Sequence, residues 1–258
     1  MIYNYHTHTT RCRHAYDTDE DYIKCAIDGG VKYMGFSDHA PYIFPDGFES
    51  THRVEVSKID DYFSSLRALR NKYRDKIDIK IGFEMEYYPA YFPAMYDLAV
   101  ESGAEYLILG QHYIFNEHPN GVPSSAKTEN FDYLREYVNC VIGGMKTGAF
   151  SYVCHPDMMK FVGDDEIYYK EMKKICVVSK EYEIPLEINF MGIRNDRFYP
   201  YDRFWQIAGE VGCPVTFGMD AHEKEAACDK KSVLRATELV KKYGLKYIGM
   251  PKIVPLSL

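Results

Sequence analysis

"NYHTHTTRCRH", residues 4–14, contains three histidines, two of which are separated by a single residue. The segment around its start alternates apolar and polar residues and has high β-propensity, so residues 2–8 are predicted to form a strand. Side chains two positions apart in a strand point to the same face, and His6 and His8 should therefore project together. So short a segment is not a fold by itself, and we expect downstream strands to hold it in place.

Seven further segments have the same character, each short and rich in β-branched or aromatic residues. They are residues 32–39, 78–87, 105–114, 151–155, 185–190, 214–222 and a last short piece at 246–250. Helical patterns lie between them, at residues 19–28, 56–73, 91–102, 131–145, 164–182, 203–211 and 228–243. Strand–helix alternation repeated about seven times favours a parallel sheet, and at this length a closed or nearly closed barrel.

Composition narrows the class of protein. The 258 residues carry a formal net charge of −7, which argues against a nonspecific nucleic-acid binder, because such proteins usually have a basic excess. No apolar stretch approaches the roughly 20 residues that a membrane span needs. No signal-peptide pattern is found either, so we expect a cytoplasmic protein without membrane contact.

The seven cysteines include no CxxC pair and are predicted to be buried small apolar residues. The sequence predicts no particular oligomeric state.

Histidines and acids stand at the predicted C-terminal ends of these strands. They are His6, His8, His39, Glu84, His112, His155, Asp220 and His222. In a parallel barrel all strand C-termini lie on one face, where barrel enzymes have their active sites, so these side chains should form one cluster. Imidazole and carboxylate oxygen are ligands for zinc, iron and manganese, and eight such groups exceed one tetrahedral shell. The surplus indicates two or three ions, an arrangement that activates water and holds a phosphoryl group.

Other polar residues near the motifs receive simpler interpretations. A single histidine is more often a hydrogen-bonded surface residue than a ligand, and we predict that His52 and His118, in loops, are solvated. Cys154 is predicted to face away from its neighbour His155, into the core. Asp38 is predicted to orient a ligand rather than to bind metal.

At these residues the sequence resembles the polymerase-and-histidinol-phosphatase (PHP) family. The motifs that carry the resemblance are HTHT at His6, SDHAP at Ser37, GFEMEYYP at Gly82, LGQHYI at Leu109, CHPDMMK at Cys154 and GMDAH at Gly218. They extend from residue 3 to residue 222. The resemblance implies an α/β fold, a distorted (β/α)7 TIM-like barrel, as a single PHP phosphoesterase domain over residues 1–258.

The resemblance also implies three divalent metal ions, with zinc, iron and manganese left open. The ligand groups carried over by position are His6, His8, Glu84 and Asp220; Glu84 as a bridge, with His112 and His155; and His14, His39 and His222. Catalytic roles fall to Glu84, Asp220 and His222. A hydroxide that bridges two ions is the expected nucleophile. The proton donor for the leaving group is either a metal-bound water or an acid near Asp220.

Within the family, the chain is most similar to the histidinol-phosphate phosphatases. The similarity lies in the loop SDHAPYIFP…THR, in the segment EINFMGIRNDRFYP and in the lack of a polymerase domain, with departures at Phe190 and Asn195. It implies hydrolysis of a small phosphate monoester, L-histidinol phosphate, to L-histidinol and phosphate in histidine biosynthesis.

Substrate contacts are predicted on the same face of the barrel. The predicted substrate-binding residues are Arg194, Arg197, Lys160, Arg53, Glu117 and Asn189. The cations suit phosphate, since the planar guanidinium matches two oxygens. Glu117, with aromatic Phe115 and Tyr42, suits the ammonium and imidazole of histidinol. These last residues lie in two long loops, 41–54 and 115–129, which we expect to select the leaving group.

Three alternatives remain open at this point. The first is a PHP phosphoesterase with another substrate, such as a nucleotide or a sugar phosphate. The second is a metal-dependent amidohydrolase, which Glu84 disfavours because those barrels commonly use a carbamylated lysine as the bridge. The third is a metal-binding domain without catalysis, which the complete ligand set disfavours.

Overall fold

The computed structural model describes residues 1–256. Within that range, eight parallel strands follow one another in chain order through a single sheet. The strands are β1 Tyr3–Asn4, β2 Tyr33–His39, β3 Asp78–Met85, β4 Leu107–Leu109, β5 Phe150–Val153, β6 Leu186–Asn189, β7 Pro214–Gly218 and β8 Lys246–Tyr247. The helices are α1 Asp19–Gly29, α2 Ile59–Tyr73, α3 Phe92–Ser102, α4 Phe131–Lys146, α5 Asp165–Tyr182, α6 Phe190–Arg194, α7 Asp202–Val211 and α8 Lys230–Tyr243. Short 3₁₀ turns lie at Thr10–Cys12, Val56–Lys58 and Lys224–Cys228.

The sheet curls until its first strand lies beside its seventh. Just beyond β1 and β7, Thr7 forms a parallel bridge with Ala221. The N–H of His8 donates to the carbonyl of Ala221 at 2.9 Å, and the N–H of Ala221 donates to the carbonyl of His6 at 3.1 Å. The predicted α/β barrel of parallel strands is thus confirmed, and the opening histidines stand at the seam where it closes.

Local sequence explains where the helices begin and end, as α1 illustrates. The Thr18 side chain accepts from the N–H of Asp21, whose carboxylate accepts in return from Thr18, forming a capping box. The helix buries Tyr22 and Ile23, and it stops at Gly30, whose φ of 88° is accessible to glycine at little cost. None of the helices within residues 1–256 is long and apolar enough to cross a membrane.

The barrel interior is closed below the strand ends by an aromatic layer. Tyr5, Tyr106 and Tyr152 are buried there, and the Tyr106 hydroxyl donates to the carbonyl of Tyr5 at 2.9 Å. Gly35 makes room for this layer, because a Cβ at that position would lie 2.1 Å from the Tyr106 hydroxyl. The layer separates the polar cluster at the strand ends from the opposite mouth of the barrel.

The strands are shorter than the sequence predicts, and one helix was not predicted. The predicted strand 214–222 ends at Gly218, because Asp220 takes a φ of 47° that no strand accommodates. Helix α6 spans five residues, too few for a helical period to be visible in the sequence. Its start is capped by Asn189, whose side chain accepts from the N–H of Gly192.

Candidate active site

Glu84, near the end of β3, lies at the centre of the predicted cluster. Its Oε2 is 3.5 Å from Nε2 of both His6 and His8. Oδ1 of Asp220 lies 3.6 Å and 3.3 Å from the same two nitrogens. The ligand atoms of one tetrahedral zinc ion, with bonds of about 2.0–2.1 Å, lie roughly 3.3 Å apart. His6, His8 and Asp220 are spaced as ligands of a single cation, with their ligand atoms within 4.8 Å of one another, and Glu84 Oε2 lies against both imidazoles.

Unpaired buried atoms support the same conclusion. Nε2 of His6, Nε2 of His8 and Oε2 of Glu84 are buried and have no hydrogen-bond partner within residues 1–256. A buried polar atom without a partner costs free energy, and in native proteins it usually indicates an ion or water at that place. The residues present thus fit a bound metal.

The second oxygen of Glu84 faces a different pair of imidazoles. Oε1 lies 2.7 Å from Nε2 of His155 and 3.3 Å from Nε2 of His112. The Cys154 thiol also donates to Oε1, at 3.0 Å. Cys154 is buried as predicted, but the prediction that it faces away from His155 is wrong. His155 has a φ of 32°, which breaks the strand alternation and turns both neighbours toward Glu84.

His14, His39 and His222 form a third group, and their ligand nitrogens lie within 4.8 Å of one another. Burial, followed by the nearby charge of His8, lowers the pKa of His14 and lowers that of His39 well below its usual value. The same two causes lower the pKa of His222 to about 4. Neutral imidazole presents the lone pair that a metal requires, so this group is prepared for coordination.

The two acids of the cluster remain ionised despite burial. Burial alone would raise the pKa of Glu84 and of Asp220, but neighbouring imidazoles, among them His6, hold both well below the usual value. Burial likewise opposes a charge on His6, yet Glu187, Asp220 and Glu84 outweigh it and raise the pKa of His6 to about 10. The site therefore concentrates negative charge, which a divalent cation would balance.

Three carboxylates contact histidines of the cluster through the ring nitrogens that face away from it. The pairs are His6 Nδ1 with Glu187 at 2.9 Å, His8 Nδ1 with Asp38 at 3.3 Å and His112 Nδ1 with Glu86 at 3.0 Å. Each pair would fix the tautomer in which Nε2 can present its lone pair to a metal ion.

The sequence analysis assigned this orienting role to Asp38 but missed Glu86 and Glu187. A signal was present, since both are acids within strand patterns where buried charges are rare. Glu86 also follows Glu84 by two residues and shares its face of the strand.

An open cavity of about 390 Å³ leads from the surface to the third histidine group. Arg197 lines this cavity and also the smaller one, of about 160 Å³, that contains Glu84 and Asp220. Its exposed guanidinium donates to the Tyr199 hydroxyl at 3.2 Å. Arg197, one of the residues predicted to contact phosphate, thus lies between the histidine–carboxylate cluster and the open cavity.

Three other predicted substrate contacts lie elsewhere. Arg194 donates to the carbonyls of Met219 at 2.8 Å and Asp220 at 3.0 Å, so its guanidinium is committed to the backbone. The Lys160 ammonium lies 5.0 Å from the centre of the Phe198 ring, and Lys160 does not line either cavity.

Asn189 also has a structural task. Its Nδ2 donates to Asp220 Oδ2 at 2.9 Å, which holds that carboxylate in place. The structure thus gives Asn189 an orienting contact, and its contact with substrate stays a prediction.

Arg53 and Glu117 do line the cavity, but they are paired with protein groups. Arg53 is buried, and its two terminal nitrogens each donate to Glu86 at 2.7 Å. Its Nε donates to Glu117 at 2.8 Å, and Ser50 donates to the other oxygen of Glu117 at 2.6 Å. Arg53 therefore reaches the cavity with its guanidinium already paired to two carboxylates, and its contact with phosphate stays a prediction.

Four residues of the two long loops differ in part from expectation. His52 is exposed as predicted, yet it lines the cavity, with its ring 5.8 Å from that of His14. His118 pairs with Asp46 at 2.7 Å rather than only with solvent. Tyr42 is buried beneath Arg53, and Phe115 packs against Tyr133, so neither aromatic residue lines the cavity.

Two relatives cover most of the chain. A Deinococcus radiodurans protein named "Probable histidinol-phosphatase" is 25% identical over 226 residues, covering 84% of this chain and 85% of that protein. A Lactococcus lactis protein named "Histidinol-phosphatase" is 23% identical over 256 residues, covering 93% of this chain and 91% of that protein. At the level of class, these relatives confirm the prediction of a phosphatase, and hence of an enzyme.

A solved structure confirms the fold. The crystal structure of histidinol phosphate phosphatase from Lactococcus lactis, complexed with zinc, L-histidinol and phosphate, has a TM-score of 0.70 to this chain. It is 21% identical in sequence, and the match covers 95% of each chain. The family model described as the PHP domain matches residues 4–190, which include the opening histidines, Glu84 and His155. The chain therefore belongs to the PHP domain family.

Proposed function

We propose that the protein hydrolyses L-histidinol phosphate to L-histidinol and phosphate, as a cytoplasmic step of histidine biosynthesis. The reaction would use three divalent ions of zinc, iron or manganese. The proposed ligand groups are His6, His8, Glu84 and Asp220; Glu84 with His112 and His155; and His14, His39 and His222.

The observation that carries the proposal is the position of Glu84 between two pairs of imidazoles. Its Oε2 faces His6 and His8 at 3.5 Å, while Oε1 faces His155 at 2.7 Å and His112 at 3.3 Å. One carboxylate that serves two ligand groups supports a multinuclear centre over isolated mononuclear sites. When bound, the ions would supply Lewis acidity, which lowers the pKa of water to near 7 and offsets charge on phosphoryl oxygens.

The protein side chains would fix the geometry around the phosphoryl group. Asn189 and Glu187 hold Asp220 and His6 in place, so the ligand atoms need no rearrangement when substrate enters. Arg197 lies where the two cavities meet, and its planar guanidinium matches two phosphate oxygens. It would orient the ester with its phosphoryl group toward Glu84 and its leaving group toward the open cavity.

The charge of the cavity wall supports a cationic leaving group. Two carboxylates, Glu86 and Glu117, share the single guanidinium of Arg53, and Glu86 also contacts His112, so carboxylates outnumber guanidinium cations at this part of the wall. L-Histidinol brings an ammonium and an imidazole, which such a wall attracts. Tyr113 and His52 also line the cavity and offer aromatic surface to the imidazole. A nucleotide or sugar phosphate has no comparable cation in its leaving group.

Steady-state kinetics on a panel of phosphate monoesters at equal metal loading tests the proposal. We expect kcat/KM for L-histidinol phosphate to exceed that for an aryl phosphate or a nucleotide by on the order of 100-fold. The reason is that, of these substrates, only L-histidinol phosphate has a cationic leaving group that the carboxylates of the cavity wall attract. Chelator-treated protein serves as the control and should be inactive until metal is restored. Equal kcat/KM across the panel would reject the substrate assignment, and turnover without metal would reject the metal chemistry.

A further inference from the structure

Two cysteines outside the candidate active site lie against each other at the protein surface. The Sγ atoms of Cys25 and Cys228 are 3.2 Å apart, and both side chains are only partly buried. The other five cysteines, at 12, 140, 154, 176 and 213, are buried. The prediction that all cysteines are buried apolar residues is therefore wrong for this pair.

The close approach has a local cause in the sequence. Cys25 lies on α1, and Gly29, one helical turn later, shares its face of the helix. A Cβ at Gly29 would lie 2.2 Å from the Cβ of Cys228, so only glycine lets the Lys224–Cys228 turn pack this closely. The same packing holds the two thiols side by side. The S–S bond of a disulfide is about 2.05 Å long, so rotation about the side-chain bonds must bring the two Sγ atoms closer together.

The pair can be reached by a small reagent. Cys25 and Cys228 both line an open depression of about 520 Å³ on the surface. Acidic and basic side chains both line the depression, with Asp28, Glu223, Glu225 and Asp229 beside Arg194, Lys230 and Lys231, so access rather than charge is what the depression offers a reagent.

We propose that Cys25 and Cys228 form a reversible disulfide, with a low-molecular-weight disulfide such as oxidised glutathione as the oxidant. This site is independent of the proposed substrate. The bond would fasten α1 to the turn that follows His222. It would thereby join the chain segments on either side of the barrel seam, where β1 and β7 meet.

The exchange proceeds in two balanced steps. The Cys228 thiolate attacks one sulfur of the reagent, a mixed disulfide forms, and one reagent thiol leaves with a proton. Cys25 then attacks the Cys228 sulfur, the second reagent thiol leaves, and the two electrons lost by the cysteines reside in the two reduced thiols. Burial and the neighbouring Cys228 raise the pKa of Cys25 to about 12, which is why the first attack is assigned to Cys228.

The test is oxidation of the full-length protein by excess oxidised glutathione, followed by thiol titration after denaturation and by peptide mapping. Wild type should lose two of its seven thiols and yield a peptide that links Cys25 to Cys228. Cys25→Ser and Cys228→Ser should form no internal bond, whereas the control Cys140→Ser should still form it. A reducing agent should restore both thiols.

The fastening effect is measured separately, by thermal unfolding of oxidised and reduced wild type. A bond between such distant residues should raise Tm by roughly 5–15 °C, and the two serine variants should show no rise. Absence of the 25–228 peptide, or a different cysteine pairing, would overturn the disulfide. A 25–228 bond without a rise in Tm would overturn its fastening role.

Discussion

Glu187→Gln removes one negative charge beside His6 and keeps the size of the side chain. The His6 Nδ1 lies 2.9 Å from one carboxylate oxygen and 3.2 Å from the other, and both residues are fully buried. Asn189 donates at 2.8 Å to the oxygen that lies 3.2 Å from Nδ1, so a glutamine that keeps its oxygen there places its amide NH2 group at the 2.9 Å contact with Nδ1. If its amide donates to Nδ1, the proton of His6 moves to Nε2, the atom that should bind metal.

The magnitude follows from these contacts. A hydrogen bond to a charged group contributes about 1.5–3 kcal/mol, which corresponds to about 10- to 150-fold in affinity. Loss of a carboxylate behind a metal-binding histidine commonly costs a similar 10- to 100-fold. We therefore expect zinc affinity to fall by about 10- to 100-fold, with the overall fold retained.

Competition with a chromophoric chelator measures this affinity directly. The matched control is Glu181→Gln, which makes the same chemical change at an exposed position of α5 and should leave zinc affinity unchanged. Circular dichroism verifies that both variants are folded. A folded Glu187→Gln protein with zinc affinity within about twofold of wild type would refute the orienting role assigned to this carboxylate.

Three further predictions concern the cluster and its cavity. Glu84→Ala should remove bound metal and phosphatase activity together, since Glu84 faces two ligand groups; metal analysis showing full occupancy would contradict this. Arg197→Ala should weaken phosphate monoester binding by about 10- to 150-fold at unchanged metal content, because one charge-assisted contact is lost. Arg194→Ala is the control and should lower Tm rather than raise KM, since Arg194 bonds to backbone carbonyls. A raised KM in Arg194→Ala with an unchanged KM in Arg197→Ala would assign the phosphate contact to Arg194 instead. Glu117→Gln should reduce kcat/KM for L-histidinol phosphate more than for a neutral aryl phosphate, and equal losses would reject a charged contact with the leaving group.

The barrel could be predicted because its signals are local and repeated. Several helices begin at a capping side chain and present an apolar face at a helical period, as Thr18 and Tyr22 show for α1. Each strand is short, apolar and bounded by turn residues. The positions of the histidines at strand ends then follow from the fact that parallel strands end on one face.

Side-chain direction at those strand ends could not be predicted in the same way. His155 and Asp220 have positive φ values of 32° and 47°, although neither is glycine. At such positions the alternation of strand faces no longer applies, and this is why Cys154 contacts Glu84. Tertiary structure, rather than local sequence, determines these backbone conformations.

The roles of the arginines also depended on contacts invisible in the sequence. Arg194 and Arg197 are three residues apart, yet only Arg197 reaches the cavity. Arg194 is the last residue of α6, a short helix that the sequence did not reveal, and there it meets the carbonyls of Met219 and Asp220. These contacts come from a loop more than twenty residues away along the chain, so the local sequence does not reveal them. Residue type alone therefore favoured a phosphate contact for both arginines.

Anomalous diffraction from zinc-loaded crystals tests the central claim most directly, because it locates metal without relying on activity. We expect peaks on both sides of Glu84, one toward His6 and His8 and one toward His112 and His155, and a third peak among His14, His39 and His222. A zinc-loaded crystal with no anomalous peak within this cluster, or with peaks only at surface residues, would contradict it.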